Sequence, residues 1–100
     1  MSTLSRAPLN EAALESALAS LDGWSFDEDA IHRTFVFSSF REAMSFLTRI
    51  AFEAEDMDHH PALYNVYNRV RVSLNTHDAG NKVTELDTEL ARRINHLSWI

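Results

Sequence analysis

The chain contains no cysteine, and only two glycines and two prolines interrupt its 100 residues. Without thiols, disulfides, cysteine nucleophiles and thiolate metal sites are excluded, and the cytoplasm is the expected compartment. With so little glycine and proline there is no flexible linker, so a single domain spanning residues 1–100 is expected. No uninterrupted apolar run exceeds three residues, so neither a transmembrane helix nor a signal-peptide core is expected. Basic residues are also scarce: nine Lys and Arg against fifteen Asp and Glu give a formal charge of −6. That balance argues against a binder of the phosphate backbone, and no nucleic-acid partner is expected. A Gly-rich phosphate loop, a Ser/His/Asp arrangement and a nucleotide fingerprint are all missing.

What is present is strong local patterning. Asn10 suits a helix N-cap, with Leu9 and Leu14 placed as a hydrophobic staple. Leu14, Leu18 and Leu21 then form one stripe, so the first helix should run from about Glu11 to Leu21, with Gly23 as its C′ residue. Trp24-Ser25-Phe26 alternates, as do Ile31, Arg33, Phe35 and Phe37 against their neighbours, with the acidic Asp27-Glu28-Asp29 between as a hairpin loop. Ser39-Phe40-Arg41-Glu42 reads as a capping box. Phe40, Ala43, Met44, Leu47, Ile50, Ala51 and Ala54 follow at helical spacing, with Phe52 outside the stripe beside Arg41, Ser45 and Thr48.

Pro61 stops this second helix. A third strand covers about Leu63–Tyr67, and a fourth puts Val70, Val72 and Leu74 on one face and Arg71, Ser73 and Asn75 on the other. Asp78-Ala79-Gly80-Asn81 is a turn, and the last helix opens at Thr84 and buries Leu86, Leu90, Ile94 and Leu97. The order α-β-β-α-β-β-α implies an α+β fold of two layers: a four-stranded antiparallel sheet with three helices on one face.

The chemistry-bearing segment is Glu55-Asp56-Met57-Asp58-His59-His60-Pro61, with His77 sixteen residues beyond the proline. Imidazole suits proton transfer because its ordinary pKa near 6.5 lets it give and take protons at neutral pH. A helix reaching His59 would pair it with Glu55 at i,i+4, and the carboxylate would orient the ring and favour its charged form. Two plainer readings stand beside this one. Histidine is favoured at helix C-termini by the helix dipole. A histidine–carboxylate metal site is the other, although HExxH-type spacing is absent. His32 in its strand and His96 near the end of the last helix read as solvated or packed, Trp24 as a core residue, and Asp87 as a carboxylate placed for the helix dipole.

Glu55, three residues, then His59-His60-Pro61, Tyr67 after five more, His77 after nine and Asp87 after a further nine form a spaced pattern. In this pattern the chain resembles the pterin-4a-carbinolamine dehydratase family, as it does in Gly23-Trp24, Tyr64-Asn65-Val66-Tyr67-Asn68 and Thr76-His77-Asp78-Ala79-Gly80. The resemblance spans essentially the whole chain. It implies a dehydratase without cofactor or metal. A 4a-hydroxytetrahydropterin left by an aromatic amino acid hydroxylase would lose water to give the quinonoid dihydropterin.

The resemblance points to His59 and His77 for acid–base work and to His60 for orienting the pterin. Glu55, Asp58 and Asp87 would support the imidazoles, Trp24 would wall the ring, and Pro61 belongs to the same motif. It implies a homodimer or homotetramer, because relatives use the long helix in a bundle. It also keeps open a non-enzymatic role, as a dimerisation cofactor or regulatory binding protein on the same scaffold.

Overall fold

The computed structural model describes residues 3–99 and contains the expected order of elements. Helix α1 spans Glu11–Ala19 and is capped by Asn10, whose side chain accepts from the Ala13 amide at 2.8 Å. It stops before Leu21, and Gly23 serves the later turn into the sheet instead of the helix cap. At φ +83° that turn favours glycine, and a Cβ would sit 2.5 Å from the Arg33 Nε. Strands β1 (Ser25–Asp27) and β2 (Ala30–Val36) form a hairpin around Glu28 and Asp29, both at positive φ as a tight two-residue turn requires.

Helix α2 spans Phe40–Met57. The Ser39 side chain caps it, accepting from the Glu42 amide at 3.2 Å. Glu42 reaches one residue further back than a capping box predicts, accepting from both the amide and the hydroxyl of Ser38. These bonds hold the Glu42 carboxyl below the usual carboxylate range. Strand β3 (Ala62–Val66) turns through Tyr67 and Asn68 into β4 (Arg69–Leu74). A short 3₁₀ turn, His77–Ala79, precedes α3, Glu85–Leu97.

The sheet order is β1-β2-β4-β3, antiparallel throughout. Ile31, Phe35, Val70, Val72 and Leu74 are buried against α2 and α3, where Phe46, Ile50, Leu86, Leu90 and Ile94 are fully covered. Helix α1 buries no residue completely, but its Leu14 and Leu18 pack partly against the same core. On the opposite face Thr34, Val36, Tyr64, Val66, Arg69 and Arg71 are exposed.

The apolar stripe of α2 is narrower than its spacing predicts. Ala43, Phe46, Ile50, Ala54 and Met57 are buried, whereas Phe40, Met44 and Ala51 lie exposed beside them. A sheet of this size meets one arc of the helix, and the flanking apolar arc extends past its edge.

This topology decides where the chemistry collects. Helix α2 carries the chain from β2 to the outer edge, and β4 then returns between β2 and β3. The C-terminus of α2, the starts of β2 and β3 and the end of β4 therefore share one end of the sheet. Among the described residues no helix is long and apolar enough to cross a membrane.

Candidate active site

The last turn of α2 separates the adjacent histidines. Asp58 takes the left-handed conformation, φ 49°, and its amide bonds to the Glu55 carbonyl, while the His59 amide reaches the Ala54 carbonyl at 3.0 Å. This is a Schellman-type stop with aspartate where glycine is usual. The helix ends at Met57, so the expected i,i+4 pairing of Glu55 with His59 does not form. The reversal at Asp58 instead sends the two rings to different partners. His60 Nε2 lies 2.7 Å from Glu55 Oε1 at the surface, and His59 Nε2 lies 2.5 Å from Asp87 Oδ1 in the interior.

Asp87 is fully buried and fully satisfied. It occupies the N3 position of α3 in a capping box with Thr84. Its Oδ2 accepts from the Thr84 amide and the Thr76 hydroxyl, both at 2.8 Å, and its Oδ1 faces His59. The chemistry of each group fixes the direction of these bonds. A carboxylate only accepts, so Thr76 donates to Asp87 and must take its second bond from the Thr84 hydroxyl at 2.7 Å. Thr84 in turn accepts from the Leu86 amide at 3.2 Å. By the same logic His59 carries its proton on Nε2, and Nδ1 is the ring nitrogen left for proton exchange.

His77 opens the 3₁₀ turn at the end of β4 and is exposed, with Nδ1 3.3 Å from Asn81 Oδ1. The loop is closed behind it, because the Thr76 amide donates to the Lys82 carbonyl at 2.8 Å and the Asn81 amide to the Thr76 carbonyl. His59, His60 and His77 line one cavity of about 540 Å³, together with Asp58, Pro61, Ser73 and Asn75. Arg6 borders the same cavity 3.5 Å from Asp78, and the N-terminal segment is tied down where the Leu9 amide meets the Val83 carbonyl.

Of the residues expected from the sequence, His59, His60, His77, Asp58 and Pro61 line the cavity, and Glu55 and Asp87 reach it through His60 and His59. Trp24 does not. It is buried in the core edge-on to Phe35, and its indole donates to Asn95 Oδ1, which also accepts from Arg33. A tryptophan held by α3 and β2 cannot also wall this cavity. The sequence reading missed Thr76, Thr84 and Arg6. Thr84 with Asp87 three residues on is a capping-box signature and was legible, but no local signal ties Thr76 or Arg6 to the histidines. Among the described residues no three His, Asp or Glu side chains stand together as a metal site would need.

The sequence profile of the Pterin 4 alpha carbinolamine dehydratase family matches residues 7–97. Two relatives provisionally named as pterin-4-alpha-carbinolamine dehydratases are similar along nearly their whole length. One from Opitutus terrae is 54% identical over 92 residues, covering 92% of this chain and 95% of the relative. One from Mesorhizobium japonicum is 52% identical over 95 residues, covering 93% and 96%. The crystal structure of a transcriptional coactivator/pterin dehydratase from Brucella melitensis superposes with a TM-score of 0.86 at 44% identity, over 90% of this chain and 97% of that one. A pterin dehydratase-like RuBisCO assembly factor shares the fold alone, at 21% identity and a TM-score of 0.62, over 76% and 87%.

Proposed function

The chain belongs to the pterin-4-alpha-carbinolamine dehydratase family, and from that premise we propose that it eliminates water from a 4a-hydroxytetrahydropterin. The observation that carries this reading is the convergence of three histidines on one cavity, one of them clamped by a buried carboxylate. In the reaction the C4a–oxygen bond breaks as the departing hydroxyl gains a proton. The N5 proton is lost, and a C4a–N5 double bond closes the quinonoid dihydropterin.

His59 suits the proton-accepting role. Asp87 holds Nε2–H, presents Nδ1, and stabilises the imidazolium formed when Nδ1 takes the proton, so the ring needs no reorientation during the step. His77 delivers the proton to the hydroxyl, and His60, steered by Glu55, orients the ring system. Such a reaction needs neither metal nor cofactor. It fits a cytoplasmic enzyme that returns the pterin of an aromatic amino acid hydroxylase to its cycle.

The test is stopped-flow dehydration of a freshly made 4a-hydroxytetrahydropterin. Alanine at both His59 and His77 should bring the rate close to the spontaneous one, since one positioned acid–base group is worth about 10²–10⁴ in rate. A folded double variant with near wild-type turnover would sink the assignment.

Assembly into a homodimer or homotetramer is part of the same proposal. Phe40, Met44 and Ala51 make an uncovered apolar strip on α2, and Phe52, 72% exposed, lies to one side of it. Burying such a strip between copies would stabilise a small core. Light scattering on wild type, Met44→Glu and Phe52→Glu tests this, and a wild-type monomer at micromolar concentration would end it.

A further inference from the structure

One hydroxyl on the cavity wall has no place in the dehydration scheme. Ser73 lies on β4, on the sheet face away from the helices, and lines the cavity beside His60 and Ala62. Its cross-strand neighbour on β2 is His32, and the side chains meet, with His32 Nδ1 2.7 Å from Ser73 Oγ. The other ring nitrogen, Nε2, lies 3.0 Å from the Asp27 carbonyl oxygen. A carbonyl only accepts, so Nε2 carries the hydrogen. In the neutral ring Nδ1 then offers only a lone pair, and the Ser73 hydroxyl must donate to it. Serine has a single hydroxyl proton. With that proton committed to His32, Ser73 turns only lone pairs towards the cavity.

We propose that His32 is a positioning residue that sets Ser73 as a one-way acceptor for an N–H donor on the edge of the bound heterocycle. This rests on the pterin reading above, since a reduced pterin carries amino and ring N–H donors along its edge. A freely rotating hydroxyl would serve donor and acceptor edges alike. A hydroxyl locked by the backbone of β1 through His32 rejects a ring presenting a lone pair there, because the two acceptors would face each other unpaired. His32 thus adds orientation to a cavity whose catalytic groups come from other elements.

The experiment measures KM and kcat by stopped flow, and Kd for a stable 7,8-dihydropterin by fluorescence, on the full chain. Losing one neutral hydrogen bond should raise KM and Kd about tenfold in Ser73→Ala and about threefold in His32→Leu, with kcat within about twofold. Ser73→Thr, which keeps the hydroxyl, should restore wild-type values. The double variant should be no weaker than Ser73→Ala alone, since His32 acts only through Ser73. His32→Phe, with a ring suited to a strand, gives the same reading should leucine disturb folding. A purely structural His32 would lower the melting temperature and leave KM and Kd unchanged. That result, in a wild type that turns over, overturns the inference and leaves the dehydratase reading standing. A wild type that neither binds dihydropterin nor accelerates dehydration overturns both.

Discussion

His59 and His60 are neighbours in sequence, and each is paired with a carboxylate, yet the two pairs belong to different environments. His59 and Asp87 have side chains 7% and 0% exposed, whereas His60 and Glu55 are 60% and 77% exposed. Asp87 is held by three donors, His59, Thr76 and Thr84, from separate connecting segments, while Glu55 holds one exposed ring against solvent. Identical chemical partners therefore differ in how firmly they fix an imidazole. A buried pair whose carboxylate is held through both oxygens is preorganised, and an exposed one is loosened by water and side-chain entropy.

The largest effect should come from breaking the buried pair. Asp87→Ala leaves the Thr84 amide, the Thr76 hydroxyl and the His59 N–H without their acceptor, and the expected loss is about 3–5 kcal/mol of stability. Asp87→Asn keeps the shape but not the acceptor-only character, and turnover should fall by about 10²-fold or more while the chain remains folded. Thermal melts and stopped flow on both variants check this, and a fully active, stable Asp87→Ala protein would erase the contrast between the pairs.

Thr76→Val should come next. It removes one hydroxyl from the network and leaves Thr84 without its acceptor, at a cost of about 1–3 kcal/mol. Denaturant titration at fixed pH measures it. By contrast, Glu55→Gln should change stability by less than about 1 kcal/mol and turnover by less than about threefold. A loss as large as that of Asp87→Asn would mean that exposure does not distinguish the two carboxylates.

The smallest effect concerns the frame that holds the pairs together. Arg93 on α3 bonds to Asp56 at 2.8 Å and Glu53 at 3.3 Å on α2, and to Glu89 on its own helix. Hydrogen bonds from Arg92, and then Arg93, hold the Glu89 carboxyl below the usual carboxylate range. The bond to Asp56, and then that to Glu89, raise the Arg93 pKa. A carboxyl depressed in the folded state stabilises the protein above its unfolded pKa, and that contribution disappears as pH falls through the folded value. Arg93→Ala should therefore lower the melting temperature by a few degrees at pH 7, for about 1 kcal/mol or less, and by almost nothing at pH 2–3. Calorimetry at the two pH values makes the comparison, and an equal loss at both would assign Arg93 a packing role instead.

Most of the scaffold was legible because it is written in short spacings. Asn10 and Ser39 cap the helices they precede, the acidic turn after β1 is where composition put it, and Val70, Val72 and Leu74 share the buried face. The site was legible as a set of residue types but not as a set of contacts. Helical spacing pairs Glu55 with His59, and one left-handed residue at Asp58 reassigns both histidines. The pattern reading put Trp24 in the core, where it lies, whereas the resemblance implied a wall of the pterin site, and no local pattern reports that Asn95, 71 residues away, accepts its indole proton. His32 reads as an ordinary strand residue until β4 brings Ser73 beside it.

From the sequence alone came the order of helices and strands, the family resemblance and the three histidines with their spacing, since capping, periodicity and turn chemistry act over a few residues. Only the tertiary structure decided which carboxylate holds which ring. It also decided which apolar arc of α2 is covered and which hydroxyls enter the buried network. These outcomes depend on how α3 and β4 dock against the end of α2, and burial there gives some polar contacts their full strength while leaving chemically identical ones to water.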